Sequence, residues 1–310
     1  MEIKKELEIV RHSNMNNLEI FLVEISARQP HGHSDLEIGI LLEGKITLNL
    51  EHIQYELEKG NIYIINRYQI HSFFSTDQDN LILAFQIHSD LYRKLNEKLK
   101  YIHFEQNVLK EGELFAQISE LLFSCADCYF SEKSFYEVKT SSLFLDALYS
   151  LLEKGNYTIS SEREYHNVQN NTHRINRITE YISEHYQEPI SLQNIADMEN
   201  ISICHASHFI SRTLGMSFQE YLNNIRFDRA LKLLTQTDLN ILDICMETGF
   251  SSSRYLNQMF EKKLGCSVKE FKKKKDKPAL KYTVLPISNI QKRLSKEASA
   301  IKFHNYSKHC

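Results

Sequence analysis

The stretch Leu214-Gly215-Met216-Ser217-Phe218-Gln219-Glu220-Tyr221 returns 50 residues later as Leu264-Gly265-Cys266-Ser267-Val268-Lys269-Glu270-Phe271. The shared string is Leu-Gly-x-Ser-x-x-Glu-aromatic. A repeat at fixed spacing means one supersecondary unit used twice. Each residue type in it has a mechanical task. Gly215 and Gly265 supply the left-handed conformation that ends a helix. Ser217 with Glu220, and Ser267 with Glu270, have the spacing of a capping box that starts the next one. Each copy therefore ends one helix and begins another at once.

Outward from the two glycines the pattern is helix, short turn, helix. In the first copy Ser191 caps a helix through Met198, Glu199-Asn200-Ile201-Ser202 makes the turn, and a second helix runs from about Ile203 to Leu214. In the second copy a helix from about Leu239 to Thr248 breaks at Gly249, and Ser251 or Ser252 restarts the chain into a helix ending near Leu264. Ile195, Ile201, Phe209 and Ile210 form the apolar seam of one unit, and Ile244, Phe250, Leu256 and Phe260 that of the other. A helix from Phe218 to Leu234 joins them. Two helices with a short turn and a buried seam are what a DNA-reading helix-turn-helix requires.

The faces left over on the second helices are small and polar: Cys204, Ser207, His208 and Ser211 on one, Ser253, Arg254, Asn257 and Gln258 on the other. Arginine pairs two-pronged with a guanine edge, asparagine and glutamine with an adenine edge, and serine with several bases. Taken alone, such a face is equally a solvated helix surface; the repeat tips the reading toward DNA. Residues 173–275 resemble the double helix-turn-helix domain of the AraC/XylS family, most closely over Gly249-Phe250-Ser251-Ser252-Ser253-Arg254-Tyr255-Leu256-Asn257-Gln258-Met259-Phe260-Glu261-Lys262-Lys263-Leu264-Gly265. Glu261 stands where that family usually has lysine, Ile210 where it has phenylalanine, and Val268 where proline is common. The resemblance implies base contacts by Ser207, His208, Ser253, Arg254, Asn257 and Gln258; the connecting helix, if rigid, sets the two reading helices one DNA turn, roughly 34 Å, apart, so that each protomer reads two adjacent major grooves. The resemblance further implies RNA polymerase as a partner.

The charge is split in a way that agrees. From Phe250 to Cys310 there are 15 basic and 4 acidic residues, a net of +11, while the other 249 residues hold 22 basic and 36 acidic, a net of −14. A basic end on an acidic body favours a polyanion as partner. No apolar run reaches the ~18 residues needed to span a bilayer. The N-terminus, Met1-Glu2-Ile3-Lys4-Lys5-Glu6, lacks the apolar core of a secretory signal, so a cytoplasmic location without membrane association is expected. Six scattered cysteines do not form a disulfide framework. Cys125-x-x-Cys128, in an apolar stretch and without a second pair, reads first as buried helix cysteines and second as a weak zinc or thiol-redox signal.

Residues 1–90 carry short strand-like stretches, Leu18–Ile25, Glu37–Leu42, Ile46–Leu50, Asn61–Ile65 and Leu81–Ile87, separated by Gly32, Gly44, Gly60 and polar clusters. This pattern fits a β-barrel. From 91 to 154 the apolar period becomes helical, at Leu114, Ile118, Leu121 and Leu122 and again at Leu145, Leu148, Leu151 and Leu152. Those helices suit packing on the barrel, pairing with a second copy, or both. Residues 155–172 are polar and read as an interdomain linker, and 276–310 as a basic tail. In that tail Lys277, Lys281, Lys292, Arg293, Lys296 and Lys302 are available for phosphate contacts, or the segment packs on the body.

The spacing His31-x-His33-x3-Glu37-x6-Gly44, then Gly60-x10-His71, resembles the two motifs of cupin barrels. The resemblance implies an inward set of His31, His33, Glu37 and His71, chemically suited to a divalent transition metal. Sensor barrels of the AraC type often keep this pattern without metal, so the expectation is that the four residues line or brace an effector pocket, with no metal, cofactor or catalysis. A sugar or related metabolite is the effector class the family implies.

The expected fold is α+β in two domains: a cupin-like β-barrel with flanking helices, then an all-α tandem helix-turn-helix domain. The expected function is a sequence-specific transcription regulator, not an enzyme, acting as a homodimer through residues 110–154 and modulated by a small effector. Two alternatives are a metal-dependent cupin enzyme with an accessory DNA module and a thiol-based redox regulator through Cys125 and Cys128.

Overall fold

The structure, a computed structural model, describes residues 15, 17–51, 53–75, 79–273 and 290–307. They fall into two compact units, one from 1–26, 31–172 and 290–310 and one from 27–30 and 173–289.

The first unit is built on antiparallel strands β1 (Leu18–His31), β2 (Leu36–Glu43), β3 (Lys45–Leu50), β4 (Ile53–Glu58), β5 (Ile62–Ile65), β6 (His71–Phe74), β7 (Leu81–Ile87), β8 (Ile102–Phe104) and β9 (Val108–Leu109). The main sheet runs β4-β3-β6-β1-β7-β2-β5-β9 and forms a nearly closed barrel. Its strand period of two sorts side chains onto two faces. Phe21, Val23, Leu41, Leu48, Tyr63, Phe73 and Ile82 pack inside. Their neighbours Ile20, Leu22, Ile38, Ile40, Ile62, Leu83 and Phe85 face outward into a second core. That outer core is covered by α1 (Glu113–Ser131) and α2 (Tyr136–Lys154). Ile118, Leu122, Cys125, Ala126 and Tyr129 of α1 recur every three to four residues, which places them on one buried stripe.

Two expectations are corrected. The barrel does not stop at residue 90: β9 joins it by pairing β5, while β8 lies in a separate two-stranded sheet. Residues 155–172 are no loose linker: they hold β10 (Tyr157–Ile159) and the start of α3 (Glu162–His185). The start signal is local. Ser161 accepts the Glu164 amide, and the Glu164 carboxylate takes the Ser161 amide and hydroxyl, a full capping box. Tyr165, Thr172, Ile175, Ile178 and Ile182 are the buried stripe that follows.

The basic tail takes the second of its two readings, packing on the body. Past residue 289 it forms β11 (Ile290–Arg293), which pairs β1, and α10 (Lys296–Ser307), which packs on α1. Phe303 is buried against Phe130 and Phe123, with ring centroids 5.4 and 6.1 Å away. Four of its cations meet carboxylates of this unit: Lys292 and Lys302 meet Glu24, Arg293 meets Glu19, and Lys296 meets Glu132. These four are engaged by carboxylates of the first unit, which is the packing alternative for the tail. Lys277 and Lys281 lie outside the described residues.

The second unit holds the rest of α3, then α4 (Leu192–Met198), α5 (Ile203–Leu214), α6 (Phe218–Gln236), α7 (Ile241–Thr248), α8 (Ser253–Leu264) and α9 (Val268–Lys273). Ser191, Ser202, Ser217, Asn240 and Ser252 cap α4 to α8 in turn. Gly215, Gly249 and Gly265 end α5, α7 and α8 at φ of 69°, 72° and 64°. Gly249 is required twice over. Its φ favours glycine, and a Cβ there would come within 2.7 Å of the Tyr186 and Gln187 carbonyl oxygens. In α6, Tyr221, Leu222, Ile225, Ala230 and Leu234 are buried. Among the described residues, no helix is long and apolar enough to cross a membrane.

Candidate nucleic-acid interface and buried histidine site

The α8 face is set by what it cannot bury. Leu256 and Phe260 enter the core with Phe227, Ile244, Phe250 and Phe271, so the opposite side of the same helix must face out. There Ser253, Arg254 and Gln258 are exposed and Asn257 is half-buried. All four line one open depression of about 600 Å³, with Glu261, Ser267 and Lys269 completing its wall. The last three were not expected; Lys269 comes from the first turn of α9. Asn257 is partly committed elsewhere. Its Oδ1 accepts the Val268 amide at 3.0 Å and so helps cap α9. A two-pronged adenine contact needs that oxygen free.

On α5 the buried stripe is Ala206, Ile210 and Leu214, while Cys204, Ser207, His208 and Ser211 are exposed. Ile201 and Phe209, expected in the seam, are half-buried. Phe209 instead takes the Arg174 guanidinium over its ring at 5.3 Å. Arg174 and Arg177 both pair with the buried carboxylate of Glu199, which fixes the turn after α4.

The histidine site stands on the inner face of the barrel sheet. Glu37 on β2 lies opposite Ile65 of β5 and Gln86 of β7. His71 begins β6 opposite Leu50. His33, Glu37 and His71 are buried, and their nearest ligand atoms all lie within 4.8 Å of one another. The His31 ring is 4.2 Å from that of His71 and 6.1 Å from that of His33. Tyr63 and Gln86, missed from the sequence, orient Glu37. The Tyr63 hydroxyl donates to Oε1 at 2.8 Å, and the Gln86 amide reaches Oε2 at 3.4 Å. Tyr63 fits because β2 has glycine opposite it: a Cβ on Gly39 would come within 2.2 Å of the Tyr63 ring. Gln86 Oε1 is buried with no hydrogen-bond partner.

Carbonyl oxygens only accept, which fixes the tautomers. Nδ1 of His71 donates to Gln69 O at 2.9 Å, and Nδ1 of His33 donates to Asp35 O at 3.1 Å. Each therefore offers Nε2 to the cluster. His33 Nε2 meets Glu37 Oε2 at 3.1 Å, either as the second N–H of an imidazolium or across a shared cation. Burial, then the neighbouring imidazoles of His31 and His33, hold His71 well below the usual histidine value. Burial alone would raise Glu37, but the hydrogen bond and charge of His33, the charge of His71 and the Tyr63 hydroxyl outweigh it and hold the carboxyl low. Two neutral-capable imidazoles and one ionised carboxylate, each braced by an outer partner, fit a divalent transition metal.

The thiols behave differently. Cys125 is buried and donates to Thr140 O at 3.4 Å, and burial pushes its thiol far up; Cys128 bonds Tyr136 O at 3.7 Å.

Comparison with known proteins meets both units. The AraC-like ligand binding domain matches residues 25–148, and a helix-turn-helix domain matches 195–274. The chain belongs to the AraC family. This AraC-family chain is similar to an uncharacterised HTH-type transcriptional regulator of Staphylococcus aureus strain MRSA252, 24% identical over 79% of this chain and 32% of that protein. It thus spans about a third of the length of such curated relatives. The HTH-type transcriptional activator RhaS of Enterobacter sp. strain 638 is 23% identical over 80% of this chain and 88% of RhaS. Among solved structures, the C-terminal domain of AraT, a response regulator from Geobacillus stearothermophilus, is 30% identical over 32% of this chain and 83% of that one, at a TM-score of 0.31. ToxT from Vibrio cholerae O395 is 16% identical over 83% of this chain and 97% of that one, at a TM-score of 0.35.

Proposed function

We propose that this protein is a sequence-specific, double-stranded DNA-binding transcription regulator whose operator affinity is set by a small effector held in the barrel unit. The observation that carries the reading is the depression on α8, where Ser253, Arg254 and Gln258 stand exposed on a helix whose other side is locked into a core. Such a helix enters a major groove as a rigid body, so no ordering entropy of the backbone opposes the contact. Arg254 takes a guanine edge, and Gln258 an adenine edge. Asn257 acts chiefly by positioning α9, and Lys269 meets a phosphate. In the first helix-turn-helix, Cys204, Ser207, His208 and Ser211 of α5 face the adjacent groove.

His31, His33, Glu37 and His71 are the effector-facing set of the barrel, with a sugar or related metabolite as the class the family favours. Control is linkage: an effector shifts the DNA-binding equilibrium only by its different affinity for the two states. Two copies join through the outer face of α2, since α10 covers α1, and Val138 and Leu145 line an apolar groove of about 620 Å³ there. RNA polymerase is the onward partner, and the site of action is the cytoplasm. The burial and high-lying thiol of Cys125 weigh against the redox alternative.

The test is a footprint of the intact protein on DNA upstream of its own and neighbouring genes, repeated over a salt series. A discrete footprint of about two major-groove turns per protomer that weakens steeply with salt is expected. A protein that protects no discrete site at low salt is not the regulator described here.

A further inference from the structure

Both histidine-bearing segments end on the same side chain. Gly32, between His31 and His33, lies so close to Thr172 that a Cβ there would come within 2.5 Å of Thr172 Cγ2. From the other segment, the Tyr68 carbonyl accepts the Thr172 hydroxyl. Tyr68 sits three residues before His71, at φ 60°, a conformation unusual for a bulky residue. The next carbonyl, Gln69 O, holds His71 Nδ1. A second tie runs from the Gln169 side chain to the Tyr68 hydroxyl at 2.8 Å. Thr172, only 1% exposed, is therefore in touch with His33 through one intervening residue and with His71 through a short run of hydrogen-bonded loop. It lies in the middle of α3, whose helix continues unbroken to His185.

We propose that occupancy of the His33–Glu37–His71 site is reported to helix α3 through Thr172, with Gly32 and Tyr68 as the two bearing surfaces. This rests on reading the histidine cluster as the effector-responsive site; within that set His33, Glu37 and His71 fit a divalent metal ion, which in this proposal occupies the site in place of the sugar-class effector. Pulling His33 and His71 toward a common ion moves Gly32 and the 68–71 loop together. The methyl of Thr172 meets the first and its hydroxyl the second. A helix is stiff along its axis, so a displacement at Thr172 is carried rather than absorbed.

The isosteric change Thr172→Val removes the hydroxyl and keeps the shape, and Thr172→Ser removes the methyl and keeps the hydroxyl. Hydrogen exchange of α3 amides is read by mass spectrometry on the full-length protein, metal-free and with zinc, with metal content measured on the same samples. In the parent chain a single equivalent of zinc should bind and change α3 exchange by about fivefold or more. In Thr172→Val zinc should bind as before while the change in α3 falls to less than half, and unaltered melting shows that the fold is intact. A metal-free arm separates the two ideas: His71→Ala should itself alter α3 exchange in the parent, and not in Thr172→Val. If zinc does not bind but that second pattern holds, the metal reading fails and the coupling stands. If zinc binding and His71→Ala both leave α3 unchanged, or change it equally in Thr172→Val, the coupling is overturned.

Discussion

At the scale of single residues, Asn257 ties α8 to α9, because its Oδ1 accepts the Val268 amide at 3.0 Å. Arg254 and Gln258 stand exposed as their residue types suggest, but Asn257 reads from the chain as a base contact and in the fold caps α9. The bond joins residues 11 apart across a helix boundary, so no local spacing announces it. Asn257→Ala should destabilise the second unit by about 1 kcal/mol, the usual worth of a cap, and lower DNA affinity alike for all sequences. Asn257→Asp keeps the acceptor and should restore the melting midpoint. Calorimetry of the two variants decides it; an Ala variant with parental stability would return Asn257 to the reading face. The cysteines follow the same logic. Cys125 lies in the core with its thiol pushed up by burial, whereas Cys204 is exposed on α5. Alkylation of the native protein at pH 8 should label Cys204 well before Cys125, which stays untouched until the barrel unit opens. Early loss of Cys125 would revive the thiol switch.

At the scale of elements, period and capping carried most of the fold. The repeated Gly-x-Ser-x-x-Glu string marks where α5 and α8 end and α6 and α9 begin, and strand alternation marks β2, β5 and β7. What stayed hidden is instructive. α3 was obscured by its polar surface, although Ser161 and Glu164 already spelled a capping box. β4, with Gln54, Glu56 and Glu58 along one exposed edge, shows little apolar signal. The return of β11 and α10 to the first unit is a non-local pairing, β1 with β11 across some 270 residues of chain, which no periodicity encodes. Of this element Phe303 is the anchor. Phe303→Ala should cost about 3–5 kcal/mol in the first unit, seen as faster exchange of the β1 and β7 amides in mild urea. Lys292→Ala, on an exposed pair, should change it by no more than about 1 kcal/mol. If Phe303→Ala left β1 protection untouched, the tail would be an appendage after all.

At the scale of the whole molecule, the histidine spacing was legible and its bracing was not. His31, His33, Glu37 and His71 were placed together by motif alone, while Tyr63 and Gln86 reach Glu37 from strands whose register only the folded sheet reveals. In the first unit the cations of the returning C-terminal segment, Lys292, Arg293, Lys296 and Lys302, are paired with that unit's own carboxylates. Assembly is testable at this scale. The intact protein at micromolar concentration should have a dimeric mass by light scattering, and Val138→Asp with Leu145→Asp should make it monomeric; a parent monomer would remove α2 as an interface. The central claim, that α8 reads bases through Arg254, is met most directly by selecting binding sites from random DNA with the intact protein and with Arg254→Ala. The account predicts that Arg254→Ala loses preference for one guanine, with a penalty of about 1–3 kcal/mol on the parent's best site, and keeps the remaining preferences. Identical selected sequences and affinities from both proteins would contradict it.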